Sequence, residues 1–235
     1  MPLLFRGHGY KFAIKTDHVL SFTNLFMFVD IHTHHPVNPS NPAIRNLTFD
    51  EAARIFSSDE TGFYSLGFHP WHADECSTER MTDLTRWAND RRLVALGECG
   101  LDKNSRVPFG VQLHVFEQQI ALSENIGKPL IIHCVGRFNE LFELKSGLNP
   151  RQRWIIHGFR GKPELAGQAL KAGCSLSFGE YFNPESVRVT PIDRLFVETD
   201  ESLLPVSEIY RAMSVAKNCR AEALTAGEDF LKSLA

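Results

Sequence analysis

The chain lacks the features that would assign it to several specialised classes of protein. Its 235 residues include five cysteines but no C-x-x-C pair, which argues against a disulfide framework and predicts a reducing, cytoplasmic location. Its 25 basic residues do not outnumber its 28 acidic ones, so no global positive field drives unspecific adhesion to nucleic acid or membranes. Any phosphate partner must therefore be attracted by local charges.

Long apolar runs and flexible linkers are also missing. The one segment that resembles a targeting signal, residues 19–29, is too short and too polar to span a membrane, and no small-residue cleavage site follows it. No Ser/Gly-rich stretch marks a domain boundary. We predict one catalytic domain over residues 27–235, preceded by an N-terminal extension of residues 1–26. Nothing in the sequence predicts a membrane or protein partner.

What the sequence does contain is a series of short apolar runs with helical stretches between most of them. The runs predict buried strands at residues 28–29, 43–44, 63–66, 93–96, 130–132, 154–156, 174–178 and 195–197. Continuous apolar runs are typical of a parallel sheet that is covered on its outer face. Helices are predicted at residues 110–126 and 163–172, because each stretch ends at a glycine.

Side chains that bind metals recur at the carboxyl ends of the predicted strands. They are His32, His34, Glu98, His133, His157 and Asp200. Only a closed parallel arrangement brings single residues from so many strands together, and a doubly wound sheet would carry a Gly-rich phosphate loop that is absent here. The sequence therefore predicts a TIM-type (β/α)8 barrel. Its first helix is missing or reduced, because residues 34–42 leave no room for one.

The alternative to a metal site is a set of structural histidines. Any one buried histidine is more often structural than a ligand, but six such residues at one end of a barrel are difficult to explain by chance. Imidazole and carboxylate donors without thiolate suit zinc, manganese, iron or magnesium. Cys99 and Cys134 are neighbours of two of the predicted ligands, point the opposite way along their strands, and are interpreted as packing residues.

The motifs HTH, GFHP, GECGLD, HGFRG and ETD occur in this order over residues 27–200, and the set resembles the TatD family of metal-dependent hydrolases. The resemblance implies a TIM barrel with two divalent ions, of zinc, magnesium or manganese. One ion would take His32, His34, Glu98 and Asp200, while His133 and His157 would hold the other and Glu98 would bridge the two. It also implies hydrolysis of phosphodiester bonds in DNA, as by a deoxyribonuclease or 3′ exonuclease.

Two ions held close together activate a water and stabilise charge on both the attacking and the leaving oxygen. Asp200 is predicted to accept the proton of that water, and Glu98 shares the catalytic role through the ions. His69, Lys103 and Arg160 are candidates for contacts with the substrate, with a structural role or a surface salt bridge as the alternative.

Departures from the family pattern favour a second interpretation. Val135 stands where many members carry an arginine, and residues 201–205 replace the usual loop after ETD. These changes reduce the surface that would hold a nucleic acid and leave the predicted ligands intact. The substrate could then be a small phosphoester, an amide or a lactone. A barrel that binds metal without catalysis is the third alternative.

Overall fold

A computed structural model of the chain describes residues 26–37 and 41–234. Within these ranges eight parallel strands form one sheet in chain order. The strands are β1 (Asp30–Thr33), β2 (Ala43–Asn46), β3 (Phe63–Leu66), β4 (Leu93–Asp102), β5 (Leu130–Val135), β6 (Trp154–Ile156), β7 (Ser175–Phe178) and β8 (Leu195–Val197). A parallel bridge between Thr33 and Asp200 joins the last strand to the first. The sheet therefore closes into the predicted (β/α)8 barrel.

The helices follow the strands in the order that such a barrel requires. They are α1 (Phe49–Ile55), α2 (Thr78–Trp87), α3 (Phe109–Ile126), α4 (Phe138–Leu148), α5 (Pro163–Lys171), α6 (Pro184–Val189), α7 (Val206–Lys217) and α8 (Ala226–Lys232). The described residues between β1 and β2 contain no helix, as expected for a missing or reduced first helix. Among the described residues, no helix has the length and apolar character needed to cross a membrane.

Two predicted strand positions were wrong. β1 occupies Asp30–Thr33 rather than residues 28–29, so that His32 lies inside the strand. β4 continues from residue 96 to Asp102, and all ten of its residues are buried. The apolar run ends early because small and polar residues at 97–100 adjoin β5 and the site, where bulky apolar side chains do not fit.

Two buried clusters form the core. The larger one packs the strands against the surrounding helices, with Trp154 and Phe116 among its fully buried side chains. The smaller one includes Ile44 of β2, Ile131 of β5 and Phe196 of β8. Because these strands are not neighbours in the sheet, their side chains meet across the barrel interior, which is thus filled with packed side chains.

Two buried glutamines of α3 fix the chain next to the site. The Gln112 side chain accepts a hydrogen bond from the backbone N–H of Asp102 at 2.8 Å. The Gln119 side chain accepts one from Phe68 at 2.7 Å and donates to the Phe68 carbonyl at 3.2 Å. These bonds satisfy backbone groups beyond β3 and at the end of β4, and they position His69 and Asp102 at the mouth of the barrel.

The predicted extension lies almost entirely outside the described residues. Its last residue, Phe26, packs edge-to-face on Phe28 and Tyr210, at ring-centroid distances of 5.1 and 6.0 Å. The boundary at residue 27 remains a prediction.

Candidate metal centre

The seam between β1 and β8 brings three of the predicted ligands together. The backbone N–H of Asp200 donates to the carbonyl of His32 at 3.0 Å, and the N–H of His34 donates to the carbonyl of Asp200 at 3.1 Å. These bonds hold Asp200 at φ 54°, a left-handed conformation that aspartate tolerates better than most residues. Main-chain pairing thus places the Asp200 carboxylate beside the two histidines.

Beneath this seam lies a buried aspartate. Asp30 accepts hydrogen bonds from the backbone N–H of Thr199 at 3.0 Å and from its hydroxyl at 2.6 Å. Burial raises the pKa of Asp30 to about 7, although these hydrogen bonds oppose the rise. Asp30 therefore ties β1 to β8 directly below the ligands.

Glycines place Glu98 next to β5. A Cβ atom on Gly97 would lie 2.5 Å from the carbonyl oxygen of Ile131, and one on Gly100 would collide with the carbonyl of His133. Both glycines have positive φ values, of 147° and 136°. Only residues without a side chain allow β4 to approach β5 this closely, and the approach brings Glu98 within reach of His133.

The carboxylate of Glu98 lies at the centre of the site, and its two oxygens face different histidines. Oε1 lies 2.7 Å from Nε2 of His157 and 2.9 Å from Nδ1 of His133. Oε2 lies 3.6 Å from Nε2 of His32 and 3.5 Å from Nε2 of His34. Asp200 Oδ1 completes the second group, 3.7 Å from His32 and 3.6 Å from His34.

The six predicted ligands therefore converge as two groups that share Glu98. We call His32, His34, Asp200 and Glu98 Oε2 the first half-site. His133, His157 and Glu98 Oε1 form the second half-site. Candidate ligand atoms of His32, His34 and Asp200 all lie within 4.8 Å of one another, as do those of His32, Glu98 and His157.

Sequence reasoning missed the supporting roles of two carboxylates. Asp102 Oδ2 lies 3.0 Å from Nε2 of His133 and accepts a 2.7 Å hydrogen bond from the indole N–H of Trp71. Glu198 is fully buried, and its Oε1 lies 3.5 Å from Nδ1 of His157. A signal for Glu198 was present, because it precedes Asp200 by two positions and alternate residues of a strand point to the same side.

Glu98 and His157 each stabilise the charged form of the other. Burial alone would raise the pKa of Glu98, but the charge of His157 and the hydrogen bonds from His133 and His157 hold that pKa well below 4.5. Burial alone would lower the pKa of His157, but the charges of Glu98 and Glu198 raise it well above 6.5. In the absence of an ion, the raised pKa of His157 favours its protonated form, which balances the charge of Glu98.

The donor set fits a divalent cation. Both ring nitrogens of the buried His32 lack a hydrogen-bond partner among the described residues. Ligand bonds of about 2.0–2.2 Å would separate neighbouring donors of a tetrahedral site by about 3.4 Å. The four nitrogen–oxygen distances of the first half-site, 3.5–3.7 Å, are close to that spacing and too long for hydrogen bonds.

The three candidate substrate contacts take different positions. His69 lies in the site, with Nε2 3.3 Å from Glu98 Oε1, and its Nδ1 accepts a hydrogen bond from the backbone N–H of Trp71 at 3.1 Å. Lys103 is exposed just beyond β4, and its backbone N–H bonds to the carbonyl of Val135 at 2.9 Å. Arg160 is exposed and lines a cleft that also contains Asp200.

A closed barrel with histidines and carboxylates clustered at the carboxyl ends of its strands is the architecture of a metal-dependent hydrolase. The TatD related DNase family model matches residues 23–217, and the chain belongs to this family.

Known relatives agree with this assignment. The chain is 33% identical over 173 residues to the 3′-5′ ssDNA/RNA exonuclease TatD of Pantoea vagans, a match that covers 68% of this chain and 66% of that protein. It is 30% identical over 162 residues to an uncharacterized metal-dependent hydrolase, YabD, of Bacillus subtilis, covering 65% and 64%. In both cases the match spans less than two thirds of the relative.

A solved structure shows the same fold. The crystal structure of YjjV, a TatD homolog from Escherichia coli K12, matches with a TM-score of 0.75 at 19% sequence identity. The match covers 88% of this chain and 97% of that one.

Proposed function

We propose that this protein is a divalent-metal-dependent phosphodiesterase that hydrolyses DNA, as a deoxyribonuclease of the 3′ exonuclease type. The observation that carries the proposal is the position of Glu98, whose two oxygens face separate groups of histidines. One carboxylate that faces a separate nitrogen-rich group with each oxygen suits a pair of ions that share it as a ligand. The relative from Pantoea vagans, named as an exonuclease, supports the choice of substrate.

The ligands would be His32, His34, Glu98 and Asp200 for one ion, and His133, His157 and the shared Glu98 for the other. Zinc, magnesium and manganese are the candidates. When bound, such a pair would stabilise negative charge on the phosphate and lower the pKa of a water toward ~7. Asp102 and Glu198 would orient the histidines of the second half-site, because each faces the ring nitrogen that points away from Glu98.

Asp200 would accept the proton of the attacking water. Burial and the charge of Glu198 raise the pKa of Asp200 above 3.8, which strengthens it as a base. The water oxygen bonds to phosphorus as the bond from phosphorus to the leaving oxygen breaks. The leaving oxygen takes up a proton from solvent, and Asp200 returns to solvent the proton that it accepted.

His69 would donate a hydrogen bond to the substrate. Its Nδ1 accepts a backbone hydrogen bond, so the neutral ring carries its proton on Nε2, the atom that faces the site. Burial lowers the pKa of His69, which favours this neutral form. Lys103 and Arg160 are both exposed at the mouth. Lys103 would contact a phosphate group, and Arg160 would contact the part of the substrate next to the scissile phosphate.

The proposal is tested by elemental analysis followed by assays on defined substrates. We expect two divalent ions per chain and stepwise shortening of a 5′-labelled single-stranded oligodeoxynucleotide, with Glu98→Ala as the inactive control. Hydrolysis of small phosphoesters, amides or lactones without any shortening of DNA would favour the alternative substrates. Failure to bind any metal would overturn the proposal. We also propose a reducing, cytoplasmic location, which the five free cysteines support.

A further inference from the structure

A cleft of about 550 Å³ opens beside Asp200, on the side of the barrel where β6, β7 and β8 end. Arg160 follows β6 and Tyr181 follows β7, while residues 198–204 form the wall that continues β8. Asp200 and Glu198 line the end of the cleft nearest the half-sites. A substrate bound at the ions would therefore extend directly into this space.

Two large apolar side chains that line the cleft are mostly exposed to solvent. Tyr181 is 65% exposed and Leu203 is 89% exposed, and both line the cleft. The guanidinium of Arg160 lies over the ring of Tyr181, 5.2 Å from its centroid, and Arg160 forms no ion pair with a described residue. A tyrosine ring supported by a guanidinium presents a flat surface on which a nucleobase of any identity can stack.

The charge of the cleft excludes a polyanion. Besides Asp200 and Glu198, it contains Glu180 and Glu201, against the single cation Arg160. Glu180 is held in place by a 2.6 Å hydrogen bond from the Ser202 hydroxyl. Further phosphates of a strand would be repelled here, whereas a neutral sugar and base would not.

The opposite side of the mouth, where β4 and β5 end, carries an exposed positive charge. There Lys103 is exposed beyond β4, and the alkyl part of its side chain lies against Gly136, which follows β5. This side offers a cation to an anionic strand, while the cleft offers a ring to a single base. The half-sites lie between the two.

We infer that the cleft binds the terminal nucleoside on the 3′ side of the scissile phosphate, with its base stacked on Tyr181. The remainder of the strand leaves over the Lys103 side of the mouth. This inference rests on the proposed function and specifies how that site selects the end of a strand. Because stacking involves no base-specific hydrogen bond, cleavage proceeds with little preference for base identity.

Binding is tested with a single-stranded oligodeoxynucleotide that carries 2-aminopurine as its 3′-terminal base and a phosphorothioate at the terminal linkage to slow hydrolysis. Stacking on Tyr181 should quench the fluorescence in the magnesium-loaded wild type and in Tyr181→Phe, but not in Tyr181→Ala. Val215→Ala is the matched control, since Val215 is 81% exposed and does not line the cleft. Quenching of a 5′-terminal probe in place of the 3′-terminal one would overturn the assigned end.

Kinetics supply the second measurement. Tyr181→Ala should raise KM for an unmodified oligonucleotide by about 5- to 150-fold, the usual range for loss of one stacked base. The increase in KM should be larger than the increase for bis(p-nitrophenyl) phosphate, which lacks a nucleoside. Absence of hydrolysis by the wild type would overturn the proposed function. Hydrolysis with equal KM and equal quenching in wild type and Tyr181→Ala would overturn this inference alone.

Discussion

The two half-sites differ in what holds their histidines in place. In the second, the outer ring nitrogen of His133 faces Asp102 at 3.0 Å, and that of His157 faces Glu198 at 3.5 Å. In the first, both nitrogens of His32 lack a hydrogen-bond partner among the described residues. There the main-chain bonds of Asp200 across the β1–β8 seam fix the geometry instead.

The residues of the proposed metal centre are therefore positioned in two physical ways. A hydrogen bond with Asp102 and a charge contact with Glu198 orient the histidines of the second half-site, so single substitutions of these carboxylates should disturb it. Backbone pairing orients the first half-site, so it should tolerate such substitutions as long as the barrel stays closed. Glu98 is the only proposed ligand that the two half-sites share. Substitution of Glu98 should therefore affect the whole centre, whereas substitution of a residue beside one half-site should affect that half alone.

The largest effect is expected from Glu98→Ala, which removes the carboxylate shared by both half-sites. Metal content should fall from two ions toward none, and hydrolysis should fall at least ~1,000-fold. Glu98→Gln keeps one oxygen donor and should retain at most one ion. Elemental analysis and rate are measured on the same samples. Full occupancy in Glu98→Ala would disprove the bridge.

Asp200→Asn should reduce turnover far more than metal content. The amide keeps the size of the side chain and one oxygen, and asparagine also tolerates the left-handed backbone at φ 54°. Loss of the base should lower kcat by ~100- to 10,000-fold. An unchanged melting temperature would show that the seam is intact. Wild-type turnover with metal retained would rule out Asp200 as the base.

Asp102→Asn and Glu198→Gln test the side-chain support of the second half-site. Each should lower metal affinity or activity by ~10- to 100-fold, because each removes the charge that faces a ligand histidine. Glu75→Gln is a matched control, since Glu75 pairs with the exposed His72 at 3.1 Å and contacts neither half-site. Equal losses of both ions in these variants would contradict the distinction between the half-sites.

Metal binding at the second half-site should depend on pH, because an ion must displace the proton of His157. Affinity should rise with pH, by up to ~10-fold per unit for one proton, until the raised pKa of His157 is passed. Glu198→Gln removes one of the charges that raise this pKa and should shift the rise to lower pH. Calorimetry in buffers of different ionisation enthalpy counts the protons released. A metal affinity that does not change with pH would contradict displacement of the His157 proton by an ion.

The same shifts set the stability of the chelated protein. The raised pKa of His157 adds stability at pH values below ~6.5 that is lost as pH rises through the raised pKa. The lowered pKa of Glu98 adds stability above ~4.5 that is lost as pH falls through the lowered pKa. Thermal melting of the chelated protein should therefore show the largest stabilisation by Glu98 and His157 between pH ~4.5 and pH ~6.5.

The smallest effect is expected from a protein that begins at Met27. Neither half-site contacts Phe26, so metal content should be unchanged. Removal of the Phe26 contacts with Phe28 and Tyr210 should cost about 1–2 kcal/mol of unfolding free energy, the usual range for one or two aromatic pairs. Loss of metal or of the thermal transition would show that the segment before residue 27 belongs to the core.

The sequence allowed the order of the strands and the gathering of the six candidate ligands to be predicted, because apolar runs and polar strand ends are local patterns. The continuation of β4 through Glu98 was missed, since the close approach of Gly97 and Gly100 to β5 depends on tertiary packing. The support of His133 by Asp102 was missed for the same reason. The support of His157 by Glu198 was missed although the spacing of Glu198 from Asp200 indicated it. Tyr181 gave no signal at all, because exposure is a property of the folded chain.

The seam has a consequence for the timing of synthesis. Thr199 bonds to Asp30, and these residues are 169 positions apart in the chain. The first half-site needs ligands from the first and last strands, so a growing chain cannot assemble it until β8 has left the ribosome. A nascent or prematurely terminated polypeptide therefore carries histidines without a working centre. An ion bound at the first half-site, as proposed, would mark the completion of the ring, and its binding energy would add to the closure of the barrel.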